Sequence, residues 1–176
     1  MSYSLNFCFI ILTYLPHRSK LFEHISRFFG LPFVLVDNSE YRNEYRKAIK
    51  VLRTGGNYGY AGGMNRGISY CLSHGAEWVI VTNEDINITG DALKNFVGQL
   101  SKSRPGIAGP SVGILDKKRW TSILGKGTDY ISGSFMAIHK SVINKIGMFY
   151  EPYFIYYEDI ELCVRAQKAG FPLAHI

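Results

Sequence analysis

The chain alternates between short apolar runs and segments with helical spacing. Phe7–Thr13 is a continuous apolar run of β formers, as expected of a strand buried on both faces of a parallel sheet. Pro16 then opens a predicted helix with Leu21, Phe22, Ile25, Phe28 and Phe29 on one side, closed by Gly30 and Pro32. Phe33–Val36 reads as the next buried strand and Val51–Leu52 as a short one. A glycine-rich turn over 55–63 leads into a helix with Ile68, Cys71 and Leu72 inward and Gly75 as its stop. Trp78–Thr82 is another buried strand. Thr89 caps a helix carrying Leu93, Phe96, Val97 and Leu100. Gly106–Val112 reads as a strand, 113–128 as a basic loop, Phe135–Ile138 as a strand and Ser141–Ile146 as a short helix. A helix over Ile160–Ala169 and a strand over Phe171–Ile176 complete the pattern.

This alternation predicts an α/β sandwich around a mostly parallel sheet, flanked by helices. The length of 176 residues fits one domain spanning residues 1–176. In such sheets ligands bind outside the carboxyl ends of the strands. Three predicted strands end there in polar groups: Thr13, Asp37 and the triplet Asn83-Glu84-Asp85.

Composition narrows the classes. The formal charge of +6 favours an anionic partner such as a phosphorylated ligand. The basic residues are dispersed, with small groups at Arg42–Lys50 and Lys117–Arg119, and the aromatics sit in strand-like runs. No nucleic-acid platform is therefore expected. The run Phe7–Leu12 is too short for a membrane span or a signal sequence. Cys8, Cys71 and Cys163 lack metal spacing and read as reduced, buried thiols of a cytoplasmic protein. The five histidines share no ligand spacing and read as surface or satisfied groups.

Each candidate site admits two readings. Asn83-Glu84-Asp85 after a buried strand suits a Mg²⁺-type cation that takes one or two protein carboxylates, and it also suits a solvated turn. Asp37-Asn38-Ser39 fits a ribose or base contact and equally a strand-terminating turn. Glu158 and Asp159 open a helix, where the dipole stabilises carboxylates; they fit a general base or plain helix capping. Glu161 and Arg165 form an i,i+4 pair with a structural role.

Taken in order, six segments carry a resemblance: Ile10-Ile-Leu-Thr-Tyr14, Val36-Asp-Asn-Ser39, the stretch Asn57–Ile68, Val81-Thr-Asn-Glu-Asp85, Ser132–Ile138 and Ile146–Arg165. The chain resembles the family 2 glycosyltransferases of the GT-A fold, especially their bacterial rhamnosyltransferase-like branch. The stretch Asn57–Ile68 is similar to that family's Asn-x-Gly-x-x-x-Gly-x-Asn-x-Gly, and Glu158–Arg165 to its Glu-Asp-x-Asp-Leu-x-x-Arg. The resemblance implies a Rossmann-like nucleotide-sugar fold and inverting transfer of a hexose from a UDP- or dTDP-sugar to an acceptor hydroxyl. It places Thr13, Tyr14, Asp37, Asn57, Gly62 and Asn65 on the donor. It assigns a Mg²⁺ or Mn²⁺ ion to Asp85 with Asn83, and the acceptor proton to Asp159 with Glu158 beside it. Tyr153–Tyr157 fall to the acceptor or to the core. The implied setting is surface-polysaccharide assembly on a glycan or lipid-linked glycan, in the cytoplasm, with peripheral association at the inner face of the plasma membrane.

The chain departs from the pattern at Asn83, Tyr150 and Glu161, and it stops at Ile176, where family members continue with a further strand and a segment that can supply a histidine. The expectation is a C-terminally short domain. The alternative carried beside transfer is a non-catalytic domain that binds nucleotide-sugar or a protein partner. A nucleotidyltransferase is disfavoured, because Thr13–Arg18 lacks glycine.

Overall fold

A computed structural model describes residues 6–41, 43–45, 47, 49–116, 118, 121–125 and 127–176. The basic groups at Arg42–Lys50 and Lys117–Arg119 fall partly outside these residues. The elements in chain order are β1 (Phe7–Thr13), α1 (Arg18–Ser26), β2 (Phe33–Asp37), β3 (Val51–Arg53), α2 (Gly59–Ser73), β4 (Trp78–Asn83), α3 (Gly90–Leu100), β5 (Ile107–Gly109), β6 (Val112–Asp116), β7 (Thr121–Leu124), β8 (Tyr130–Ile131), β9 (Phe135–His139), α4 (Lys140–Ile146), α5 (Glu158–Lys168) and β10 (Leu173–His175).

Seven strands form one sheet in the order β10-β5-β9-β4-β1-β2-β3. All neighbours are parallel except β9, which runs antiparallel to both β4 and β5. Strand period divides the sheet into two apolar layers. Ile10, Val34, Val36, Val79 and Val81 pack with Met64, Ile68 and Cys71 of α2 and with residues of α4 and α5. The alternate positions Phe9, Ile11, Leu35 and Ile80 pack with Leu21 and Ile25 of α1 and Leu93, Phe96 and Leu100 of α3. The continuous apolar runs are therefore explained by helices on both faces, giving an α/β sandwich with a mostly parallel sheet.

Three sequence expectations are corrected. The glycine-rich stretch 55–63 is only half a turn, because α2 already begins at Gly59. Gly63 and Gly67, inside α2, serve close helix–sheet packing. A Cβ on Gly67 would lie 2.3 Å from Ile10 Cγ2, and one on Gly63 2.5 Å from Leu12 Cδ1. The basic loop 113–128 contains β6 and β7, which pair antiparallel and with β8 make a second, three-stranded sheet. All four residues of β7 are exposed, so its side chains give no apolar alternation to read. The strand expected over Gly106–Val112 likewise ends at Gly109, and Pro110, which lacks an N–H, separates β5 from β6. Thr89 caps α3 as expected, accepting from Ala92 N–H at 3.2 Å.

The reversed direction of β9 positions the site. With Thr82 opposite Phe135, β9 starts where β4 ends. The turn Ser132-Gly133-Ser134 is thereby delivered to the carboxyl rim of the parallel strands, where Ser134 C=O accepts from Asn83 N–H at 3.2 Å.

Candidate active site

Thr13, Asp37 and the triplet Asn83-Glu84-Asp85 all lie at this rim, because β1, β2 and β4 are parallel neighbours with Thr13 in register with Asp37. The Thr13 hydroxyl donates to the Glu84 carboxylate. Asn38 N–H donates to Thr13 C=O at 2.9 Å, and Leu15 N–H to Ser39 Oγ at 2.9 Å, which ties the β1–α1 loop to the end of β2. Asp37 is buried. Its carboxylate accepts from Ser39 N–H at 3.1 Å and from Asn43 Nδ2 at 3.2 Å. A carboxylate offers about four acceptor positions, so capacity remains for a ligand hydroxyl or N–H. Tyr14, next along the chain from Thr13, is exposed.

Burial, then the negative charges of Asp85 and Asp37, push the Glu84 carboxyl above its ordinary range, and the bond from Thr13 partly offsets this. A cation at this rim would relieve that repulsion. Among the described residues no group of three or more His, Cys, Asp or Glu could hold a metal by itself. The donor set, an exposed Asp85 and a half-buried Asn83, fits a hard divalent ion that completes its shell with phosphate oxygens and water. Asn83 and Asp85 line two different openings: Asn83 lines the cleft described next, while Glu84 and Asp85 line one of about 380 Å³ beside α1.

That next cleft, of about 590 Å³, is bounded by Tyr60, Asn83, Ser132, Gly133, Ser134, Tyr157, Glu158 and Asp159. Asp159, in the first turn of α5, is held by two backbone donors: Gly133 N–H to Oδ2 at 2.8 Å and Ile160 N–H to Oδ1 at 2.8 Å. The Tyr60 hydroxyl donates to Gly133 C=O. Glu158 is 5 % exposed, and its Oε2 has no hydrogen-bond partner. Burial, with some help from the Asp159 charge, pushes its pKa up to about 7, while its own backbone N–H pulls the other way. Adjacent carboxyls thus meet different surroundings, one half-exposed and held by N–H donors, the other buried.

The structure gives Asn57, Gly62 and Asn65 scaffold contacts. Asn57 Oδ1 accepts from Gly59 N–H at 3.0 Å, at the start of α2. Gly62 is buried where a Cβ would sit 2.8 Å from Tyr58 Cβ. Asn65 clamps the 148–151 segment, donating to Phe149 C=O at 2.9 Å and Glu151 Oε1 at 3.0 Å and accepting from Phe149 N–H at 3.1 Å. Arg165 binds Glu161 Oε2 at 2.7 Å and the Met148 carbonyl at 2.7 Å, as a structural pair would.

Four residues at the site are read only as parts of longer segments, with no role of their own: Glu84 in the acidic triplet, Tyr60 in Asn57–Ile68, and Ser132 and Gly133 in Ser132–Ile138. The last three reach the site through the antiparallel β9 and the early start of α2. His24 corrects an expectation: it is 3 % exposed and neither ring nitrogen has a partner. Burial and the Arg27 charge hold it below the ordinary histidine range. Cys8 and Cys71, both free thiols, face each other across β1 and α2 with sulfurs 2.7 Å apart.

The glycosyl transferase family 2 profile matches residues 34–161. The chain is 32% identical over 164 residues to the low-salt glycan biosynthesis hexosyltransferase Agl10 of Haloferax volcanii, covering 77% of this chain and 53% of that protein. It is 29% identical over 147 residues to the dTDP-rhamnosyl transferase RfbF of Shigella flexneri, covering 73% and 49%. The chain thus spans about half the length of the curated relatives it matches. The crystal structure of S. aureus TarS 1-349 superposes with a TM-score of 0.59 at 16% identity, over 92% of this chain and 55% of that one, a likeness of fold alone. No helix among the described residues is long and apolar enough to cross a membrane. With the family profile spanning the second strand to the first turn of α5, this chain belongs to glycosyl transferase family 2.

Proposed function

We propose that the chain is the catalytic core of an inverting glycosyltransferase that moves a hexose from a nucleoside-diphosphate sugar to an acceptor hydroxyl. The observation that carries this reading is that Asn83, at the end of β4 on the carboxylate-rich rim of β1, β2 and β4, lines the same cleft as Asp159, which Gly133 holds. Thr13, Tyr14 and Asp37 bind the base and ribose at the ends of β1 and β2. Asp85, with Asn83, would hold a divalent cation, Mg²⁺ or Mn²⁺, which would supply charge neutralisation for the departing diphosphate. Asp159 accepts the proton of the acceptor hydroxyl. The acceptor oxygen forms its bond to the anomeric carbon as the carbon–oxygen bond to the diphosphate breaks on the opposite face, so configuration inverts and the nucleoside diphosphate leaves. Gly133 N–H fixes the base's orientation, and Tyr60 fixes Gly133. The names of the relatives support glycan assembly, and the dTDP-rhamnosyl transferase among them supports a dTDP-sugar as one candidate donor. A glycan or lipid-linked glycan at the inner membrane face fits this role.

Calorimetric titration of UDP and dTDP, with and without Mn²⁺, tests the reading. One of the two binds in a metal-dependent way, and Asp85→Ala weakens it at least about tenfold, the scale of a lost metal contact. Failure of both nucleotides to bind under any condition favours the partner-binding alternative.

A further inference from the structure

A single seam runs along the face of β1 that α2 covers. Leu12, Ile10 and Cys8 alternate onto this face, and Gly63, Gly67 and Cys71 follow one another four residues apart on the helix. Two residues of strand advance about 6.6 Å and four of helix about 6 Å, so the two series stay in step. At the first two steps the helix brings no side chain. A Cβ on Gly63 would lie 2.5 Å from Leu12 Cδ1, and one on Gly67 2.3 Å from Ile10 Cγ2. At the third step both partners carry a thiol. With the backbones drawn this close, the two sulfurs stand 2.7 Å apart.

The backbone holds the pair in place. Asn6 C=O accepts from Glu77 N–H at 2.8 Å and from Trp78 N–H at 3.1 Å, while Cys71 C=O accepts from His74 and Ala76 N–H, both at 3.1 Å. The link from α2 to β4 is thereby tied to the start of β1 at one end and to Cys71 at the other. Both thiols are free. A disulfide holds its sulfurs about 2.05 Å apart, which small side-chain rotations reach from here.

The two thiols are unequal. Cys8 is half-buried and Cys71 is 1 % exposed. The Cys71 S–H donates to the Cys8 sulfur, and this bond holds the Cys8 thiol below its ordinary range against the effect of burial. The same bond, and then burial, pushes the Cys71 thiol up. Cys8 is therefore the sulfur that an outside reagent meets first, in the reactive thiolate form. Cys163 is fully buried, accepts from Ile131 N–H at 3.4 Å, and has its thiol pushed up to about 12 by burial.

We propose that Cys8 and Cys71 are a redox modification site, a dithiol that closes reversibly to a disulfide and staples α2 to β1. The oxidant is a small-molecule disulfide. The Cys8 thiolate attacks one of its sulfurs, and the other half leaves as a thiolate. Cys71 then gives up its proton and attacks the Cys8 sulfur, expelling the second half. Two protein thiols lose two protons and two electrons, and the oxidant departs as two reduced thiols. The cross-link closes the chain over residues 8–71 and restricts the unfolded state. Thr13 and the rim lie at the opposite end of β1. This site is independent of the transferase reading.

Incubation of the native chain with oxidised glutathione tests the proposal, read by intact mass and peptide mapping. The expected product has lost two hydrogens, joins the Cys8 and Cys71 peptides, and reverts with dithiothreitol. Its urea midpoint is higher than that of the reduced protein by about 1 M. Cys163→Ala behaves as wild type. Cys71→Ala instead keeps one glutathione on Cys8, and its midpoint does not rise. Brief alkylation of native wild type needs no variant and modifies Cys8 before Cys71. A chain that stays fully reduced overturns the proposal, as does a bond through Cys163. So does an oxidised product whose midpoint is unchanged or lower, or a Cys71 that reacts before Cys8.

Discussion

Gly133 donates its amide hydrogen to Asp159 Oδ2 at 2.8 Å, joining the turn before β9 to the first turn of α5. A Cβ on Gly133 would lie 3.2 Å from both Asp159 Cβ and the Tyr60 hydroxyl, so the approach depends on the missing side chain. The bond fixes one carboxylate oxygen and leaves the group at the cleft.

If Asp159 is the base, Asp159→Asn removes proton acceptance and little else. Transfer then falls by roughly 10²–10⁴-fold, the usual range for a positioned base. Nucleotide affinity by calorimetry stays at the wild-type value, because Asp159 lines the cleft away from Thr13 and Asp37. Retained transfer in a folded Asp159→Asn protein assigns the base elsewhere.

Gly59 tests the link between α2 and the aromatic segment 153–157. Its φ is +66°, and a Cβ there would fall 2.0 Å from the Phe154 carbonyl oxygen. That obstacle is backbone and cannot swing aside. Gly59→Ala therefore displaces the segment and breaks the bond from Tyr60 N–H to Phe154 C=O. The expected cost is about 2–4 kcal/mol from strain and clash together, read as a lower urea midpoint.

How much of this was legible in the sequence follows from what each residue faces. The buried strands β1, β2 and β4 announce themselves because helices cover both sides, so every position is apolar until the rim. Their polar ends at Thr13, Asp37 and Asn83 stand out at the rim for the same reason. Gly133 and Tyr60 fell inside the segments Ser132–Ile138 and Asn57–Ile68, but nothing there singled them out. Their roles need the direction of β9 and the start of α2, and neither leaves a periodic signal. The hairpin of β6 and β7 was missed because β7 is solvated on both faces. His24 was misread since a lone histidine on a helix shows no sign of what buries it.

Glu158 makes stability depend on pH. Its native pKa of about 7 lies above the ordinary carboxyl value of 4.5, chiefly through burial. The native state therefore holds a proton that the unfolded chain releases between pH 4.5 and 7. The stabilisation is complete below pH 4.5 and lost as pH rises through about 7. Each pKa unit corresponds to roughly 1.4 kcal/mol, so the loss is on the order of a few kcal/mol. Glu158→Gln keeps the shape without the titration. The difference in unfolding free energy between wild type and Glu158→Gln should shift against wild type across this window. A difference constant with pH would show that Glu158 does not titrate there. His24 acts in the opposite direction below its ordinary value of 6.5, but it is common to both proteins and cancels.

Gly67 and Gly98 lie in helices α2 and α3 and carry opposite predictions for one added methyl group. Gly67 faces the sheet, where a Cβ would come within 2.3 Å of Ile10 Cγ2 and 3.0 Å of Val36 Cγ2. Both neighbours are fully buried β-branched side chains with little freedom to move. Gly67→Ala must push α2 off β1 and β2, and overpacking of this kind costs about 1–3 kcal/mol. Gly98 is exposed with nothing within 4 Å, so Gly98→Ala gains only helix propensity, about 0.5–1 kcal/mol of stability. Urea unfolding of the two variants separates close packing from generic helix preference. If Gly67→Ala gained stability as Gly98→Ala does, the close seating of α2 on the β1–β2 rim, and with it the placement of Asn57 and Tyr60, would be wrong.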